Sequence, residues 1–194
     1  MAEKPQRLTD HKFAVVDFET TGFSPANDRI VQLAAIVVDA NGDIVESFDT
    51  VVKPEFPAEY KHGAEHVHGI SEEMVANGMP VSQALKKLWD ITDGAVFTAH
   101  NAKFDIGFLH AESERVGINK SVGKHIDTLR LARELDESKE RKHSLEALCN
   151  HYGIVRERAH EARADAEATA KLLFKLIEDL GVKSNHPIDG LLHE

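Results

Sequence analysis

The sequence predicts an α/β fold: a mixed five-stranded sheet flanked by helices. Two patterns carry this. The first third holds three apolar runs separated by turn signals, as an antiparallel meander would. The remainder alternates short apolar runs with amphipathic helical stripes, so further strands are followed by helices packed on the sheet. A chain of 194 residues, 42% hydrophobic and 29% charged, suits one domain with a substantial core. Residues 1–194 are therefore read as a single unit, with its core from about 13 to 180.

The first strand begins with the buried run Phe13 to Val16. Ile30 to Asp39 is a second apolar run. Asn41-Gly42 is a hairpin signal, and Ile44 to Val52 alternates loosely as a third strand. Gln32, inside the second strand, is read as a polar residue on a solvated face. Pro54 and Pro57 open an irregular segment, and Ser71 before Glu72-Glu73-Met74 is a helix N-cap. His62, His66 and His68 are read as exposed loop histidines, because a zinc site would lack Cys or another ligand set.

Pro80 to Ile91 reads as a helix with Val81, Ala84, Leu85, Leu88 and Trp89 on one stripe. Ala95 to Ala99 is a short buried strand. Asn101 is the candidate N-cap of a helix that runs to about Val116, with Phe104, Phe108 and Leu109 inward. Val122 to Ile126 is the last strand, and Asp127 caps the helix after it. The charged connector from Glu134 to Lys142 lacks an apolar anchor, so mobility is expected. Ser144 caps the helix Leu145 to Tyr152, with Gly153 as its stop. Ala162 to Leu180 is a long helix closed by Gly181, and 182–194 is expected to be a loose tail.

Several function classes are excluded or weakened. No apolar run approaches the roughly 20 residues of a membrane helix, and the polar stretch Met1 to Lys12 does not read as a signal peptide. The single Cys149 rules out an intrachain disulfide and fits a reducing cytoplasm. A net charge of −10 argues against a protein that coats nucleic acid. It leaves room for an enzyme that grips a short end through metal ions.

The chemistry centres on Asp17-Phe18-Glu19-Thr20-Thr21-Gly22. Alternate strand residues share a face, so Asp17 and Glu19 point the same way. Two ionised carboxylates side by side repel, and burial worsens the cost. A hard divalent cation such as Mg²⁺ or Mn²⁺ removes it. The strand ends here, leaving the backbone N–H groups of Thr20, Thr21 and Gly22 free for a substrate. Asp105, in the first turn of its helix, either complements the helix dipole or looks into the site that holds Asp17. His160 precedes Asp165, in the first turn of the last helix, by five residues, so both can face one metal site.

Asp17 to Gly22, His100-Asn101-Ala102-Lys103-Phe104-Asp105-Ile106-Gly107-Phe108-Leu109 and His160-Glu161-Ala162-Arg163-Ala164-Asp165-Ala166 together resemble the three motifs of the DEDDh exonucleases. The DnaQ-like branch, which includes the proofreading epsilon subunit of bacterial DNA polymerase III and its stand-alone relatives, is the most similar. The likeness runs from about Phe13 to Leu180 and implies a ribonuclease H-like fold. It implies a 3′→5′ exonuclease that takes two Mg²⁺ or Mn²⁺ ions and releases nucleoside 5′-monophosphates, from single-stranded DNA in preference to RNA. By the resemblance, Asp17 bridges both metals, Glu19 and Asp165 complete one site, Asp105 supports the second and neutral His160 is the base. Thr20, Thr21, Gly22 and the loop His68-Gly69-Ile70 seat the terminal nucleotide, and Asn101 steadies a phosphate. A DNA polymerase subunit is an implied partner, although the tail shows no Gln-led apolar clamp-binding peptide. Arg141, Lys142, Arg156, Arg158 and Arg163 are candidate phosphate contacts, with solvated surface the favoured role for most. Two alternatives remain: an RNA-trimming enzyme of the RNase T or oligoribonuclease kind, and a catalytically silent polymerase-binding subunit.

Overall fold

The structure, a computed structural model, describes residues 7–55, 59–138, 140–183 and 186–194. The meander is present as expected. Strands β1 (Phe13–Thr20), β2 (Ile30–Val38) and β3 (Ile44–Lys53) pair antiparallel in sequence. All nine residues of β2 are buried, because helices cover both faces of the sheet at its centre. Helices α1 (Glu65–His68) and α2 (Glu72–Ala76) follow, and Ser71 caps α2 by accepting the Met74 N–H. Pro57 lies outside the described residues.

The sheet has six strands rather than five. A two-residue strand, β4 (Met79–Pro80), pairs parallel with Val52 and Lys53 at the edge of β3. Helix α3 therefore starts at Val81 and runs to Ile91, with Pro80 at its N-cap. β5 (Val96–Ala99) lies parallel to β1, and β6 (Ile126–Asp127) is parallel to β5. The order is β4-β3-β2-β1-β5-β6. β6 is shorter than the run Val122 to Ile126 predicts. The Val122 N–H goes to His110 Nε2 at 2.9 Å instead of joining a ladder.

Odd and even residues of β1 feed two separate cores. Phe13 and Val15 pack under α5 (Thr128–Leu135), α6 (Leu145–Tyr152) and α7 (Ala162–Asp179). Val16 and Phe18 pack under α3 and α4 (Ala102–Arg115). Caps follow local chemistry. Asp127 accepts the Leu129 N–H, Ser144 accepts the Ala147 N–H, and Gly153 closes α6 at φ 66°. Asn101 stands at the N-cap of α4 in the left-handed region (φ 69°), but its side chain makes no cap bond. Its backbone N–H donates to Asp127 Oδ1 at 3.0 Å. Cys149 is buried in α6.

Three expectations about exposed or loose segments are corrected. Gln32 is 9% exposed, and its Oε1 accepts the Ala162 N–H at 3.2 Å. It ties β2 to the start of α7. The connector after α5 has a polar anchor: buried Asp136 accepts from Ser138 Oγ and the Arg141 N–H and lies 3.2 Å from His143 Nε2. Residue 139 lies outside the described set. The tail docks rather than hanging loose. Ile188 and Leu191, in a short 3-10 helix, enter the core, Pro187 bridges Arg7, and His193 bridges His125. No described helix is long and apolar enough to cross a membrane.

Candidate active site

The site forms where the carboxyl ends of β1 and β5 meet the starts of α4 and α7. Open α/β sheets present ligands at this end of their parallel strands. β1 delivers Asp17 and Glu19 on the face shared with Phe13 and Val15. α4 delivers Asp105 and α7 delivers Asp165, each from its first turn. Helix starts favour acids because their free N–H groups and dipole carry positive charge. Asp105 is 3% exposed and Asp165 is 6% exposed.

Burial and mutual repulsion act on all four acids. Burial pushes the Asp17 carboxyl well above its usual range, and the charges of Asp105, Asp165 and Glu19 push it further. Burial and Asp165 raise Glu19 to about 7. Burial also raises Asp105, against backbone N–H groups of Asp105 itself and Phe18 that pull it down. Asp165 is raised by burial, against the Arg156 charge. Four acids that resist ionisation together present a site whose countercharge from Arg156 is too small for them all.

His160 sits in the loop before α7 with φ 62°, and its N–H donates to Asp165 Oδ2 at 3.3 Å. The side chain is exposed. One ligand atom each from Glu19, His160 and Asp165 lie within 4.8 Å of one another. The donor set suits a hard divalent ion. Asp165 Oδ1 is buried with no well-aligned hydrogen bond, and its charged neighbour is the Arg156 guanidinium at 3.3 Å, which would share that oxygen with a bound ion.

The proposed substrate-seating residues lie around the end of β1, with one correction. β1 ends at Thr20, as expected. The Thr21 N–H, however, donates to Arg29 O at 3.0 Å and is not free. Thr20 Oγ1 donates to Gly22 O at 2.7 Å. The segment 60–70 packs on this end of β1. A Cβ at Gly63 would collide with the Thr21 carbonyl, so only glycine permits the approach. His68 is an organiser of that segment: its Nδ1 accepts the Ile70 N–H at 3.0 Å and its Nε2 faces Gly63 O at 3.1 Å. His62 is likewise engaged, by Tyr60 and Glu65, rather than freely exposed. Gly69 is exposed, while the Ile70 side chain is buried with Val31 and Val75. Asn101 is exposed beside the start of α4.

One candidate emerges only from the structure, and one changes role. Phe23 directly follows Gly22 and is 91% exposed. The signal was an aromatic residue in a polar turn with no apolar partner at strand or helix spacing. Arg156, read as a candidate phosphate contact, instead places Nε 3.3 Å from Asp165 Oδ1. Arg158 and Arg163 are also engaged, with Glu161, and with Asp49 and Glu167.

Comparison with known proteins agrees with this geometry. The sequence model of the exonuclease family matches residues 14–173. DNA polymerase III PolC-type of Listeria monocytogenes is 37% identical over 182 residues, covering 94% of this chain and 12% of the relative. The Staphylococcus aureus counterpart is 35% identical over 198 residues, covering 99% and 13%. The chain thus spans about an eighth of these relatives. Among solved structures, the nuclease domain of 3′hExo, a DEDDh family member bound to rAMP, superposes with TM-score 0.74 at 18% identity, covering 91% of this chain and 96% of that one. Escherichia coli exonuclease I with a dT13 oligonucleotide gives 0.68 at 23% identity, covering 87% and 41%. Exonuclease X with 5′-overhanging duplex DNA gives 0.63 at 26%, covering 89% and 95%. With a family match over most of its length and the Asp-Glu-Asp-Asp and histidine set gathered at one sheet end, this chain belongs to the DEDDh exonucleases, a family of nucleic-acid hydrolases.

Proposed function

We propose that the protein removes nucleotides one at a time from the 3′ end of single-stranded DNA, as a proofreading or repair exonuclease of the cytoplasm. The observation that carries this is the convergence of Asp17, Glu19, Asp105 and Asp165 from three chain segments, with His160 beside them. The PolC-type relatives support the DNA setting and a polymerase as partner, since this chain is similar to a segment of a replicative polymerase. A catalytically silent binding subunit is disfavoured, because it would have no need to keep four carboxylates in mutual repulsion.

Asp17, Glu19 and Asp165 would hold one Mg²⁺ or Mn²⁺, and Asp17 with Asp105 a second. Such ions polarise phosphoryl oxygens and ease ionisation of the attacking water. His160, exposed at the mouth, takes a proton as the nucleophile forms. Thr20, Thr21 and Gly22, with the His68-Gly69-Ile70 segment, wall the seat of the terminal nucleotide, and Asn101 contacts a phosphate. Phe23 offers a stacking face for a base, which suits recognition without sequence preference.

The test is digestion of 5′-labelled single strands of one sequence, as DNA and as RNA, with Mn²⁺. A descending ladder from a free 3′ hydroxyl, slowed by a 3′-phosphate and faster on DNA, is expected. Immediate release of labelled mononucleotide refutes the polarity. Faster loss of the RNA strand reassigns the substrate to RNA.

A further inference from the structure

The loop from Gly22 to Arg29, which carries Phe23, is restrained from three directions. From within, the Asp28 carboxylate accepts the Ser24 N–H at 2.8 Å and the Thr21 hydroxyl at 3.3 Å. A Cβ at Gly22 would lie 2.5 Å from that carboxylate, so the turn closes this tightly only on glycine. From its own end, the Arg29 guanidinium donates to the carbonyls of Asn27 and Asp28, each at 3.1 Å. From across the fold, Arg115 on α4 donates to the carbonyls of Pro25, of Ala26 at 2.9 Å and of Asp28 at 3.4 Å.

Arg115 is itself fixed. Its Nη1 lies 3.0 Å from Glu112 Oε1, and the Glu112 side chain is 2% exposed. Burying a carboxylate is costly, and packing alone is better served by an apolar side chain. The pair therefore calls for a use that hydrophobic packing would not supply. The planar fork of arginine satisfies several loop carbonyls at once, which a lysine ammonium on a flexible stem does not. What the fork holds still is a short loop that follows the end of β1 and carries the exposed Phe23 ring, 91% open to solvent.

We propose that Arg115, anchored by Glu112, is a positioning residue that holds Phe23 in a fixed stacking pose for the 3′-terminal base. This rests on the stacking role given to Phe23 above. A ring on a loose loop must be ordered when the base binds, and that entropy is subtracted from affinity. A ring on a backbone already held forfeits less. Arg115 acts through Phe23 and not on the reacting phosphate, so its loss falls on KM.

The experiment is a double-mutant cycle with Arg115→Lys, Phe23→Ala and the pair, using single-stranded DNA and Mn²⁺. Arg115→Lys keeps a charge against Glu112 but loses the fork. It should raise KM about tenfold, within the range of one base stack, with kcat changed far less. The pair should be no worse than Phe23→Ala alone, because both lesions remove one interaction. If Arg115→Lys does not fold, Glu112→Gln with Arg115→Gln, which leaves no buried charge unpaired, replaces it in the cycle. Unchanged KM in the Arg115 variant, or penalties that multiply in the pair, overturns the inference while leaving the Phe23 reading intact. Unchanged KM in Phe23→Ala overturns that reading and the inference with it.

Discussion

Arg156 Nε lies 3.3 Å from Asp165 Oδ1, and both side chains are largely withdrawn from water. Arg156 also lowers the titration of Asp17 and Glu19 against the forces that raise them. A protein side chain thus supplies part of the countercharge that the four carboxylates need. Arg156→Gln should lower the melting temperature in excess EDTA by about 3–10 °C, the equivalent of about 1–3 kcal/mol in a domain of this size. Saturating Mn²⁺ should restore most of the loss, because the cation takes over the same role. Melting curves of wild type and variant in EDTA and in Mn²⁺ decide this. An equal deficit in both conditions would show that Arg156 matters only for packing.

Glu19 makes the metal-free protein sensitive to pH in an unusual direction. In the fold it titrates at about 7, raised from 4.5 by burial and by Asp165. Between those values the folded state holds more protons than the unfolded chain. This contribution to stability is complete below about 4.5 and is lost as pH rises through about 7. It is of order 3 kcal/mol at most. Melting temperature in EDTA should therefore decline across this window in wild type and decline less steeply in Glu19→Gln, where the raised Asp17, Asp105 and Asp165 carboxyls still contribute. Mn²⁺ affinity should run the opposite way, rising with pH to about 7 as the proton it must displace is lost. A wild-type profile parallel to that of Glu19→Gln would be evidence against the assignment.

His160 occupies the left-handed region, which asparagine tolerates better than most residues. His160→Asn is accordingly a cleaner probe than alanine. Its melting temperature and Mn²⁺ affinity should stay near wild type, since the exposed ring is proposed as base and not as ligand. Its rate should fall by roughly 10²–10⁴-fold. Asp17→Asn should lose metal affinity as well as rate. Isothermal titration beside single-turnover kinetics separates the two. Weakened metal binding in His160→Asn would make the histidine a ligand, as its nearness to Glu19 and Asp165 would then explain.

Gln32 accepts the N–H that opens α7. Gln32→Leu should cost about 1–3 kcal/mol by stranding that buried donor. Gln32→Glu keeps an acceptor but sets a fifth carboxylate opposite Glu19, so it should recover stability only with saturating Mn²⁺. Chemical denaturation of the three proteins measures this directly. Equal stabilities would mean that water replaces the bond.

What local sequence encodes, the sequence shows. The apolar runs of β1 and β2, the caps at Ser71, Asp127 and Ser144 and the stop at Gly153 all follow from a few neighbouring residues. So does the pairing of His160 with Asp165, five positions apart. What escaped depends on distant partners. Gln32 reads as surface until Ala162, 130 positions on, is brought over it. Thr21 reads as a free donor until Arg29 folds back across it. Arg115, about 90 positions from the loop it holds, has no mark that distinguishes it from any helix-end arginine. The β4 strand escaped because two residues ending in proline carry no strand period.

Arg7 and Pro187 form a bridge, and the Leu8 N–H donates to His186 O at 3.0 Å. The segment that leads into β1 is thus tied to the segment that leads into the docked 3-10 helix. The two work as one clasp, since Leu8 on one side and Ile188 and Leu191 on the other lie in the same core. Trimming the chain after Val182 would therefore uncover Leu8 as well as remove Ile188 and Leu191, and the loosening would reach the start of β1.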